Sequence, residues 1–77
     1  MQYELKEWKQ NGPLKDNGNN TSTQPIMVWT KIVNETYGFE KTDSTVITFN
    51  NSLSIPQAII ACTDGAIAFV ASKYPNT

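Results

Sequence analysis

The stretch that most constrains this chain is Gln57 to Ser72, QAIIACTDGAIAFVAS, in which two short apolar runs meet at Asp64-Gly65. An Asp-Gly pair between runs rich in Ile, Val and Phe is a strong hairpin signal, because both central residues of a type I′ turn need positive φ. The pattern predicts a tight antiparallel hairpin whose register sets Thr63 opposite Ala66, Ala61 opposite Ala68 and Ile59 opposite Val70. Alternation then puts Ala58, Ile60, Cys62, Ile67, Phe69 and Ala71 on one face, and Ile59, Ala61, Thr63, Ala66, Ala68 and Val70 on the other. Neither face is polar, so both need cover, from this chain or from another copy. Ala61, Ala66 and Ala68 leave room for a second layer to approach closely, and they are the expected oligomer interface.

The need for cover fits the size. A chain of 77 residues is one domain, and a domain this small hides only about 60% of the surface its unfolded form exposes. Cys62 is the single cysteine and there is no histidine, which removes an intrachain disulfide and leaves no ligand set for structural zinc. No metal or cofactor is expected, and association between copies is the remaining common staple. Cys62, inside an apolar run, reads as a small buried hydrophobe.

Six lysines, no arginine and seven acids give a net charge of −1, without runs of either sign. Nothing here asks for nucleic acid, since there is no basic patch and no aromatic interleaved with arginine. Met1 to Gln10 carries charges at Glu4, Lys6, Glu7 and Lys9 and does not read as a signal peptide. Leu53 to Ala71 has the length of a membrane span, but Pro56, Asp64 and Gly65 argue against insertion. A mid-membrane Asp costs about 2.5–3.5 kcal/mol on insertion scales, and the hairpin explains the same residues without that cost.

In chain order, Met1, Leu5 and Trp8 stand at i, i+4 and i+7, which predicts a short helix over 1–10, capping the sheet or ending a shaft. Residues 11–25 read as a loop, with turn signals at Asn11-Gly12-Pro13 and Asn17-Gly18. A β core then spans 26–72. Ile26 to Val33 is a strand with Ile26, Val28, Thr30 and Ile32 on one face and Met27, Trp29, Lys31 and Val33 on the other, Trp29 being assigned to the core. Asn34 to Asp43 reads as a long loop, and Ser44 to Asn50 as the next strand, with Thr45, Ile47 and Phe49 alternating against Val46 and Thr48. With the final hairpin, the fold class is mainly β: a small antiparallel meander or sandwich of about four strands, with the short N-terminal helix.

Candidate chemistry is sparse. Glu35, Glu40 and Asp43 share one stretch but match no calcium-loop spacing and read as solvated charges. Triads of the Ser-His-Asp and Cys-His kinds need a histidine, so an enzyme is not expected. The candidate binding residues are Tyr37 and Phe39, rings in a loop with no obvious core to enter, together with Asn34, Glu35 and Thr36 as hydrogen-bonding neighbours.

The segment Thr45-Val46-Ile47-Thr48-Phe49, a short polar connection through Leu53, and then Ile55-Pro56-Gln57-Ala58-Ile59-Ile60-Ala61-Cys62-Thr63 resembles the C-terminal domain of bacteriophage tail fibres. That family has a Thr-x-Thr-Phe-like strand, then a proline leading into a strand of small and branched apolar residues. An earlier tryptophan-bearing strand, here Ile26-Met27-Val28-Trp29, precedes it. The resemblance covers about half of the chain. It implies a homotrimeric tip module of a virion that binds a bacterial surface glycan or protein without chemistry. Two other classes compete with it: a small phage-encoded interaction or inhibitor protein acting on a host factor in the cytoplasm, and a purely structural virion subunit.

Overall fold

The computed structural model describes residues 2–33 and 40–75. It holds four strands in one antiparallel sheet, β1 (Tyr3–Gln10), β2 (Lys15–Asp16), β3 (Thr21–Ile32) and β4 (Lys41–Asn50), followed by one helix, α1 (Ile55–Lys73). The long strand β3 is central. β4 pairs along one of its edges, while β1 and β2 lie end to end along the other. The mainly β class expected from the sequence, with four antiparallel strands, is therefore present, but both ends of the chain differ from expectation.

Residues 1–10 were expected as a helix, and the described part is strand β1. Its register on β3 shifts between Leu5 and Glu7, so Lys6 is an extra, bulged residue. A bulge resets the two-residue alternation, which brings Leu5 and Trp8 to the same side although three positions separate them. The spacing that imitated a helical face is the signature of that bulge.

Residues 11–25 were expected as loop, yet β2 and the first five residues of β3 lie within them. Pro25 explains why the β1/β2 edge is interrupted. Its carbonyl accepts from Asn11 N at 2.9 Å, so the missing donor faces the same edge. Opposite that gap the chain makes its Asn11 to Leu14 excursion. The Gln24 carboxamide closes the excursion by donating to the carbonyls of Gly12 at 3.0 Å and Pro25 at 2.8 Å. The turn into β3 has Gly18 at φ 80° and Asn20 at φ 67°, with Gly18 N donating to Asp16 Oδ1 at 2.8 Å. The Asn-Gly signal thus marks a real turn.

The largest correction concerns 57–72, which is the body of α1 rather than a hairpin. Ser54 is its N-cap: the hydroxyl accepts from Gln57 N at 3.3 Å, and Gln57 Oε1 accepts from Ser54 N at 3.0 Å. This reciprocal pair is a capping box, with Pro56 in the first turn where no donor is needed. Ala58, Ala61, Ala66, Ala68 and Ala71 are the best helix formers available. Nineteen residues make α1 roughly 28 Å long.

Strand alternation on β3 directs Ser22, Gln24, Ile26, Val28 and Thr30 toward α1. Ile26, Val28, Ala66 and Val70 form the buried centre, with Tyr3, Leu5, Trp8, Ile47, Phe69 and Tyr74 packed around them. Gly65 is not in a left-handed turn. It lets the helix backbone lie against β4, where a Cβ would stand 2.5 Å from Ile47 Cδ1. Trp29, expected in the core, lies on the opposite face of the sheet, paired with Glu7 and Thr42 and half-buried. On that face Lys9 Nζ sits 5.8 Å from its ring centroid, and Lys31 pairs with Glu4 at 3.1 Å.

Candidate functional site

The two halves of α1 meet the sheet differently. Ile55, Ile59, Cys62, Ala66 and Val70 fall on one helical side by their spacing. Ala66 and Val70 are buried, whereas Ile59 is 52% and Ile55 80% exposed. The N-terminal half of the helix thus stands off the sheet and leaves a cleft of about 500 Å³. Trp8, Leu14, Phe49, Leu53, Ile55 and Ile59 form its apolar walls, and Ser22, Gln24 and Gln10 its polar floor.

Every polar group of that floor is held in place. Gln24 is buried and its oxygen accepts from Gln10 Nε2 at 3.4 Å, in addition to the two bonds that it donates. The Ser22 hydroxyl donates to Asn51 Oδ1. At the inner end, Trp8 Nε1 donates to Thr63 Oγ1 at 3.0 Å, and that hydroxyl donates in turn to Ile59 O at 3.0 Å. This chain ties β1 to α1 and fixes the Trp8 ring as a wall. Cys62, 4% exposed, also lines the cleft, and burial pushes its thiol up from the ordinary range. A thiol kept protonated is a poor nucleophile. The cleft offers apolar surface over a rigid hydrogen-bonded base, which is the make-up of a binding site.

A second cluster pins the other end of α1. Asp43 on β4 accepts from Lys73 Nζ at 2.6 Å and Tyr74 OH at 2.7 Å. The two bonds hold its carboxyl below the usual carboxylate range, and the Tyr74 phenol is pushed up to about 12, chiefly by its bond to Asp43. The Tyr3 and Tyr74 rings lie 5.2 Å apart, with Lys41 Nζ 4.9 Å from the Tyr74 centroid. These contacts lock the helix C-terminus to the sheet and leave the N-terminal half as the open end.

The site residues expected from sequence fare differently. Asn34, Glu35, Thr36, Tyr37 and Phe39 lie outside the described residues. Ala61, Ala66 and Ala68 do not form one face, because the strand that grouped them is replaced by a helix: Ala66 is buried against the sheet, while half-buried Ala61 and exposed Ala68, two turns apart, keep to one helical side. Of the three acids, Asp43 binds Lys73 and Tyr74, while Glu40 pairs with Lys6. Cys62 is buried as expected. Sequence reasoning missed the cleft because Leu14, Leu53 and Ile55 stood in segments read as loop or connection. Their signal was apolar side chains in stretches with no other reason to carry them.

Among the described residues no group of three or more Cys, Asp and Glu could hold a metal ion. α1 is long and apolar enough to cross a membrane by length and composition. The hairpin no longer competes with that reading. What opposes it is Asp64 near the helix midpoint, exposed, and the packing of Ala66 and Val70 on the sheet. The segment that carried the second part of the tail-fibre resemblance, residues 55–63, is helical; the parts at 26–29 and 45–49 are the paired strands β3 and β4. Comparison with protein-family models, with curated proteins and with solved structures finds no match.

Proposed function

We propose that this protein is a non-enzymatic binding module whose working site is the cleft between β1, β2 and the N-terminal half of α1. The observation that carries the reading is the exposure of Leu14, Ile55 and Ile59, at 54%, 80% and 52%, around a floor in which Ser22 and Gln24 are held by hydrogen bonds. Apolar surface left open beside a rigid base gains free energy when a ligand's apolar body excludes water from it, at about 25 cal/mol per Å². The test uses phenylnaphthylamine, a neutral dye that brightens in apolar sites. One equivalent should bind, Ile59→Asn should weaken it strongly, and Val46→Asn, on the far face of the sheet, should leave it unchanged. Equal losses in both variants would mean diffuse adsorption and would remove the cleft from the reading.

A second reading is a trimeric virion tip that binds a bacterial surface receptor. It is favoured by the strand pair β3–β4 and by Ile60 and Ile67, 59% and 51% exposed, with Ile67 on the flank of α1 beside β1, where a neighbouring copy would cover them. Light scattering at micromolar concentration tests it. A trimer supports this reading and a stable monomer removes it.

A further inference from the structure

We propose that the cleft selects an organic cation, a small molecule with an apolar body and an ammonium or guanidinium head set against Asp16. The inference rests on the cleft being the binding site. Asp16 is the one charged residue among those that line it. Strand alternation points Asp16 to the cleft side with its partner Ser22, and turns Lys15, paired with Thr23, to the far face. One carboxylate oxygen, Oδ1, accepts from Gly18 N at 2.8 Å, and no lysine pairs with Asp16 among the described residues. Three of the lysines are engaged elsewhere, Lys6 with Glu40, Lys31 with Glu4 and Lys73 with Asp43.

The positive end of α1 also opens on the cleft at Ser54, and an uncapped helix N-terminus would attract an anion instead. Here the capping box takes up the amides of Gln57 and Ser54, and Pro56 contributes none. Asp16 brings a full negative charge, against the roughly half-unit positive charge of a helix N-terminus. The rings of Trp8 and Phe49 in the walls add faces that attract cations. The volume suits a drug-sized molecule and not a bare ion.

Three probes that share a naphthalene body separate the charge from the cleft: naphthylmethylamine, naphthylmethanol and naphthylacetate. At low salt the ammonium should bind about fivefold more tightly than the alcohol, and the carboxylate most weakly. Asp16→Asn keeps an oxygen for Gly18 N and should bring the ammonium down to the affinity of the alcohol, with unchanged circular dichroism. Equal binding of all three, or an ammonium preference that survives in Asp16→Asn, overturns the cation proposal and leaves the cleft standing. If none of the three binds the unaltered protein, the cleft reading falls and the proposal with it.

Discussion

Replacing Gly65 by Ala in the middle of a helix would ordinarily stabilise the fold by about 1 kcal/mol, since Gly is the poorest ordinary helix former. Here the expected sign is reversed. A Cβ at position 65 would lie 2.5 Å from Ile47 Cδ1 and 3.3 Å from both Cγ1 and Cγ2. Rotating the terminal methyl away relieves only the first of these contacts, so the whole Ile47 side chain, or the helix itself, must move. Overpacking of this kind costs about 1–3 kcal/mol. Set against the propensity gain, the net expectation is a loss of about 1 kcal/mol, which lowers Tm by roughly 4–8 °C in a domain this small. The decisive assay is a double-mutant cycle by thermal and urea unfolding, with Ile47→Ala removing Cδ1, Cγ1 and Cγ2 together. In that background Gly65→Ala should become neutral or stabilising, a coupling of about 1–2 kcal/mol. If Gly65→Ala stabilises the unaltered protein, the close approach of α1 to β4 is wrong. If it destabilises equally in both backgrounds, the cost is local to position 65, as a turn glycine would require.

Three further perturbations read other parts of the fold. The Thr30 hydroxyl is fully buried with no hydrogen-bond partner among the described residues, so Thr30→Val should raise stability by about 1 kcal/mol in urea titration. Asp43 has a lowered pKa in the fold, so its contribution is present above the unfolded value near 3.8 and is lost as pH falls through the folded value; Asp43→Asn should flatten the acid side of a Tm-against-pH curve. Ser54→Ala removes one half of the capping box and should cost about 1 kcal/mol, with faster amide exchange confined to the first turns of α1.

The strands were legible where local pattern and tertiary context agree. Ile26, Val28 and Thr30 alternate against Met27 and Trp29, and Ile47 and Phe49 against Val46 and Thr48, and both alternations hold in the sheet. Which face of β3 the helix covers was not legible, because Trp29 gives the open face as much apolar weight as Val28 gives the buried one. The helix itself was written in the sequence twice. Ser54 with Gln57 three residues on is a capping-box pattern, and Ile55, Ile59, Cys62, Ala66 and Val70 trace a helical stripe. The Asp64-Gly65 pair imitates a hairpin turn and masks both, although a two-residue signal is weaker than nineteen residues of periodicity. β1 was hidden for a different reason, since its bulge at Lys6 is fixed by pairing with β3 and cannot be seen locally. The cleft needs the two ends of the chain brought together, Trp8 and Leu14 against Leu53 and Ile59, and no local pattern announces such a meeting.

The chain has two tryptophans, one on each side of the sheet, which makes the site directly observable. Trp8 lines the cleft with its indole N–H bonded to Thr63 at 3.0 Å, while Trp29 sits on the far face near Lys9. Titrating ¹⁵N-labelled protein with naphthylmethanol and following the two indole N–H resonances tests the cleft as the binding site. The Trp8 signal should shift progressively to saturation while the Trp29 signal stays in place. Movement of Trp29 with Trp8 unmoved would put binding on the open face of the sheet and contradict the assignment.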